Sequence, residues 1–117
     1  MKYVRDTITM VKELGGEEIT VVPGTVAKLV ADASAEEEWR FAVDSLKQRD
    51  EPGMKEGVRI ALEPLNRFET YFLNRHDQAL VLAEAVGPMC GICLDAFRMN
   101  IEETDMYQAI RACASRA

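Results

Sequence analysis

Two short apolar runs that each end in a carboxylate, Val58 to Glu63 and Gly91 to Asp95, constrain this chain more than any other feature. Both are strand-length and rich in aliphatic side chains. Alternation along a strand puts Val58, Ile60 and Leu62 on one face and Arg59, Ala61 and Glu63 on the other. The same count sends Gly91, Cys93 and Asp95 one way and Ile92 and Leu94 the other. Glu18 to Val22, closed by Pro23-Gly24, predicts one more strand. Between them lie stretches of helical period. Val4, Ile8 and Val11 lead to a stop at Gly15-Gly16. A Ser34/Glu37 capping box precedes Trp39, Val43 and Leu46. Asn74 is placed to cap a helix with Ala79, Leu82, Ala83 and Val86 on its buried stripe, stopped at Gly87-Pro88. Met106, Ile110 and Cys113 mark a last helix beginning near Thr104. Strands alternating with helices call for βαβ crossovers and a parallel sheet, so the class is α/β.

The chain has 14 basic and 20 acidic residues, a net charge of -6 and a pI near 4.8. That balance opposes a phosphate backbone, so nucleic acid is not an expected partner. No charged segment followed by an apolar one opens the sequence, and no apolar run approaches the roughly 20 residues of a membrane span. The expectation is a cytoplasmic protein with no membrane partner. A hydrophobic fraction of 48% suffices for a core, and no repeat or low-complexity tract argues for disorder.

The runs Glu63-Pro64-Leu65-Asn66-Arg67-Phe68-Glu69-Thr70 and Asp95-Ala96-Phe97-Arg98-Met99-Asn100-Ile101-Glu102-Glu103 resemble the ketose 3-epimerase branch (tagatose and psicose 3-epimerases) of the xylose-isomerase-like sugar isomerase/epimerase barrels. The resemblance runs along nearly the whole chain. It implies a partial (β/α)8 TIM barrel with about three parallel strands, residues 1–117 forming one domain that matches barrel helix 3 through helix 6. A complete barrel needs roughly 250 residues. By the same resemblance Glu63 is both metal ligand and proton-transferring base, Asp95 is a second metal ligand, and Glu69 and Arg98 contact the sugar. The ion implied is Mn2+, Mg2+ or Co2+, which suits carboxylate oxygens, and the substrate is a ketose. A C–H beside a ketone is a weak acid, which is why such chemistry pairs a close carboxylate with an electrophile.

The match is incomplete in three respects. Relatives carry His where Arg98 stands, and Arg is larger, always charged and unable to accept a hydrogen bond. They complete the site with a His and a Glu on later strands, which the resemblance does not place within these residues, so the chain by itself is expected to be inactive. Gln48-Arg49-Asp50-Glu51-Pro52-Gly53-Met54 interrupts a helix that relatives continue, which predicts a shorter second helix with a looser exit before Pro52-Gly53.

Other readings compete at individual residues. Glu63 and Asp95 could each simply cap a following helix or be solvated, and Glu69 could be an ordinary surface glutamate. Cys90-Gly91-Ile92-Cys93 invites a redox or zinc reading, but positions i and i+3 of a strand point to opposite faces, and zinc would need further ligands at matching spacing. His76, the only histidine, is expected to be an exposed first-turn residue. Two unpaired sheet edges and an uncovered inward face carrying Ala61, Cys93 and the strand around Val21 predict a homo-oligomer. The alternative function is a non-catalytic self-associating α/β module, or a sugar-binding remnant.

Overall fold

A computed structural model describes residues 2–117, apart from the side chains of Lys2, Asp50, Glu51, Pro52 and Met54. The elements in chain order are α1 (Lys2–Glu13), β1 (Glu18–Val21), α2 (Ala35–Glu56), β2 (Arg59–Leu62), α3 (His76–Val86), β3 (Gly91–Ile92), α4 (Ala96–Glu102) and α5 (Met106–Cys113). The three strands form one parallel sheet in the order β1-β2-β3. The fold is α/β, in the arrangement expected for part of a (β/α)8 barrel.

Alternation organises the core. Ile19, Ile60, Leu62 and Ile92 pack with Ile8, Leu46, Ala79, Leu82, Ala83 and Val86 of the helices in a single apolar cluster. Ile60 and Leu62, on the central strand, are fully buried. The other face of the sheet is polar: Arg59 pairs with Glu18 at 2.5 Å, and the Cys93 thiol bonds the Thr20 side chain. Val21, expected on this inward face, packs against the core instead, and Thr20 takes the inward position. Ala61 does face inward yet is buried. The inward face is therefore less apolar than the sequence led one to expect, because it carries an ion pair and a hydrogen bond rather than bare aliphatic surface.

The edge of β3 is also not bare. Arg116, beyond α5, accepts the Ile92 N–H at 2.8 Å through its carbonyl, and its guanidinium donates to the carbonyls of Gly87 (3.0 Å) and Cys90 (3.1 Å). One arginine thus meets the edge strand and the exit of α3.

Two helix boundaries correct the sequence reading. The Ser34/Glu37 capping box forms as expected, with Ser34 Oγ accepting the Glu37 N–H and Glu37 Oε2 accepting the Ser34 N–H. The helix it starts, however, does not stop before Pro52-Gly53; it runs to Glu56. Proline removes one backbone donor, and the helix continues past it to the glycine that ends it. The true stop is Gly57, at φ +71°, and the Val58 N–H reaches back to the Gly53 carbonyl at 2.8 Å. That six-to-one bond closes a Schellman end in which Gly53 is the last-turn acceptor. Asn74 likewise does not cap α3. Arg75 holds the cap position, Gln78 Oε1 accepts the N–H groups of Asn74 and Arg75, and the Asn74 amide donates to the carbonyls of Leu65 and Thr70.

Helix propensity alone would have Gly53→Ala stabilise α2 by about 1 kcal/mol. A Cβ there would lie 2.4 Å from the Val58 carbonyl oxygen, a backbone atom that cannot swing aside. Overpacking of this kind costs about 1–3 kcal/mol. Gly53→Ala should therefore lower the urea midpoint, and an unchanged or raised midpoint would show that α2 ends earlier.

Candidate functional site

Each strand delivers its last inward residue to the same rim, the C-terminal end of the parallel sheet, where (β/α)8 enzymes carry their chemistry. Glu63 follows β2 directly, and its N–H continues the ladder by donating to the Val21 carbonyl at 3.0 Å. Cys93 extends β3 in the same way, its N–H donating to the Leu62 carbonyl at 2.8 Å, and this sets the position of Asp95 two residues on. Asp95 is the N-cap of α4, a helix that the sequence reading did not separate from its motif, and Oδ1 accepts the Phe97 N–H at 2.8 Å. The capping role considered for Asp95 is real, but it uses only one of its two oxygens.

Arg98 brings the four singled-out residues together. Its Nη1 donates to Glu63 Oε1 at 2.9 Å and to Asp95 Oδ2, while Nε and Nη2 donate to the two oxygens of Glu69 at 3.0 and 3.2 Å. All four side chains are partly buried, Glu63 most at 17% exposed and Asp95 least at 33%. The bidentate bond to Glu69, reinforced by the charges of Glu63 and Asp95, pushes the Arg98 pKa above its ordinary value, against the opposing effect of burial. Glu69 is accordingly not a free surface glutamate.

The loop that carries Glu69 is held by residues that the sequence reading passed over. Asn66, 3% exposed, donates Nδ2 to Glu69 Oε2 at 2.6 Å and accepts the Phe68 N–H on Oδ1 at 2.9 Å. Ala27, a non-glycine residue at φ +68°, donates its N–H to the Glu69 carbonyl at 2.7 Å and so ties the loop after β1 to the loop after β2. The signal available beforehand was Asn66 itself, a turn-forming residue whose amide can satisfy both backbone and side-chain neighbours. Arg67 and Glu102 pair at the outer side of the same loop at 3.0 Å.

His76 is not an exposed first-turn residue. Its ring Nδ1 lies 2.7 Å from Glu103 Oε2, and its backbone N–H donates to Glu103 Oε1, joining the start of α3 to the end of α4. Cys90 lies in the core, whereas Cys93 faces the inward side, where burial above all, and next the charge of Glu63, push its thiol pKa up. A cavity of about 290 Å³ lies apart from this cluster, beside α2; Tyr71 lines it and is pushed up to about 12 by its hydrogen bond to Glu38.

The sequence pattern described as xylose isomerase-like TIM barrel matches residues 1–116. The chain belongs to that family. An L-ribulose 3-epimerase from Mesorhizobium japonicum is 31% identical over 117 residues, which cover 99% of this chain and 39% of that protein. A solved L-ribulose 3-epimerase superposes with a TM-score of 0.89 at 31% identity, over 98% of this chain and 39% of that one. A D-allulose 3-epimerase from Methylomonas sp., solved in complex with D-allulose, gives 0.90 at 28% identity, over 98% of this chain and 40% of that one. The relatives place the chain in the ketose 3-epimerase branch, and it spans about two fifths of their length.

The divalent ion implied for Glu63 and Asp95 does not fit the residues as they stand. Both carboxylates already accept from one guanidinium nitrogen, and among the described residues no group of three or more His, Cys, Asp or Glu side chains is arranged to hold a metal.

The two duties of Asp95 can be separated by substitution. Asp95→Asn keeps an oxygen for the Phe97 N–H but weakens the ion pair, whereas Asp95→Ala loses both. The alanine variant should be less stable than the asparagine variant by about 1 kcal/mol, the usual worth of an N-cap. Equal urea midpoints would mean that the cap contributes nothing.

Proposed function

We propose that this chain supplies the central part of a ketose epimerase site, in which Glu63 exchanges a proton with the carbon beside the sugar carbonyl and Glu69 and Arg98 contact sugar hydroxyls. The observation that carries this reading is the convergence of Glu63, Glu69 and Asp95 on one rim of a parallel sheet, around Arg98. A carboxylate beside a ketose C–H can take the proton to leave an enediolate and return it to complete exchange. Return on the opposite face, which inverts the centre, needs a second group there.

The 117-residue chain alone is proposed to be inactive, because inversion needs a second proton-transferring group on the opposite face of the sugar, and the resemblance puts that group on later strands. It should give no ketose turnover. In a barrel completed with the later strands of a relative and carrying Arg98→His, solvent deuterium should enter at the sugar C3. Adding Glu63→Gln should reduce that entry by a factor on the order of 10²–10⁴. Undiminished exchange in the Gln variant would remove Glu63 from the role of base.

We also propose a cytoplasmic location. Cys90, Cys93 and Cys113 form no disulfide among the described residues, and no helix among them is long and apolar enough to cross a membrane.

A second reading, self-association, is favoured by the exposed apolar side chains of Val26, Leu29, Val30, Phe68 and Phe97 and by the open inward face with Thr20 exposed. Light scattering on the purified chain should give a dimer or larger species. A monomer at micromolar concentration would show that the polar inward face is adequately solvated by water.

A further inference from the structure

Three carboxylates gathered on one partly buried rim repel one another, and such clusters persist only when a cation or protons compensate them. Here the compensating group is part of the chain. The Arg98 guanidinium lies against Glu63, Glu69 and Asp95 together, with its side chain 22% exposed. Glu63 Oε1, both oxygens of Glu69 and Asp95 Oδ2 accept from it; Asp95 Oδ1 accepts from Phe97, and Glu69 Oε2 also from Asn66. Five of the six carboxylate oxygens thus accept hydrogen bonds. A hard divalent ion needs several such oxygens directly, at about 2.0–2.6 Å, with lone pairs free. The guanidinium stays charged at any pH at which the protein is folded, so no change of acidity removes it as a competitor.

We propose that Arg98 is the resident cation of this rim: its guanidinium satisfies Glu63, Glu69 and Asp95 and keeps divalent metal ions from coordinating them. Three negative charges and one positive leave the cluster at minus two, so a metal ion is still attracted from a distance. Inner-sphere coordination by Glu63 and Asp95, however, requires the guanidinium to leave. Position 98 thereby decides whether the rim takes a metal at all. This inference stands on the contacts of Arg98 and is independent of the epimerase reading.

The test is a Mn2+ titration of the 117-residue chain, following free Mn2+ by electron paramagnetic resonance, with the thermal midpoint as second readout. The unmodified chain should show no saturable one-per-chain site at submillimolar Mn2+, and its midpoint should not move. Arg98→Met removes the charge at similar side-chain length. It should bind Mn2+ at least tenfold more tightly, its midpoint should rise with Mn2+, and both gains should vanish when Glu63→Gln is added. Should Arg98→Met not fold, Arg98→Met with Glu69→Gln, which has one carboxylate fewer to compensate, is titrated under the same criteria. Micromolar binding by the unmodified chain that is lost in Glu63→Gln, or a folded Arg98→Met variant with no gain, would overturn the proposal.

Discussion

Everything at the rim depends on the period-two alternation of the central strand. β2 pairs with β1 on one side and β3 on the other, and its Ile60 and Leu62 are sealed under the helices. With those two side chains committed to the core, Ala61 and Glu63 must face the other way, and a slip of one residue would bury Glu63 in the apolar cluster. Burying an unpaired carboxylate and exposing Ile60 and Leu62 would both cost, so the register is strongly specified. The parallel ladder then carries the same phase to Cys93 and, through it, to Asp95.

The chemistry of the rim is a problem of compensation. Apart from Arg98, Glu69 accepts from Asn66 and Asp95 from the Phe97 N–H; with Arg98 the three carboxylates form one cluster held by ion pairs and a bidentate fork. Arginine suits this position because its planar fork holds Glu69 bidentately while still reaching Glu63 and Asp95, whereas lysine offers three donors from a single point and a neutral histidine one. Asn66 and Asp95 add backbone-directed bonds, so the cluster is coupled to the turn after β2 and to the first turn of α4. The loop after β2 is positioned by the sheet beneath it and by its own amide bonds, with Leu65 and Leu73 buried below it.

Helix ends show where local preference gave way. The Pro52-Gly53 pair is a strong stop signal by propensity, yet α2 continues through it to Glu56, and Gly53 is retained because the Val58 carbonyl passes where a Cβ would be. The α3 start illustrates the converse. Asn74 has the right side chain to cap, but its amide is worth more holding the Leu65 and Thr70 carbonyls, and the cap position falls to Arg75.

What the sequence by itself determined is what depends on neighbours close in the chain. The strand phases of β2 and β3, the stripe of α3, the capping box of α2 and the Gly15-Gly16 exit of α1 all follow from spacing. The resemblance carried by the Glu63–Thr70 and Asp95–Glu103 runs identified the family. Only the tertiary structure decided what required distant segments to meet: the joining of Arg98 to Glu63 and Glu69 across 35 and 29 positions, the pairing of His76 with Glu103, and the seating of Arg116 on the edge of β3. The physical reason is range. Periodicity and capping are set within a turn or two of backbone, whereas the partner of a charged side chain is chosen by whichever opposite charge the folded sheet brings within hydrogen-bonding distance.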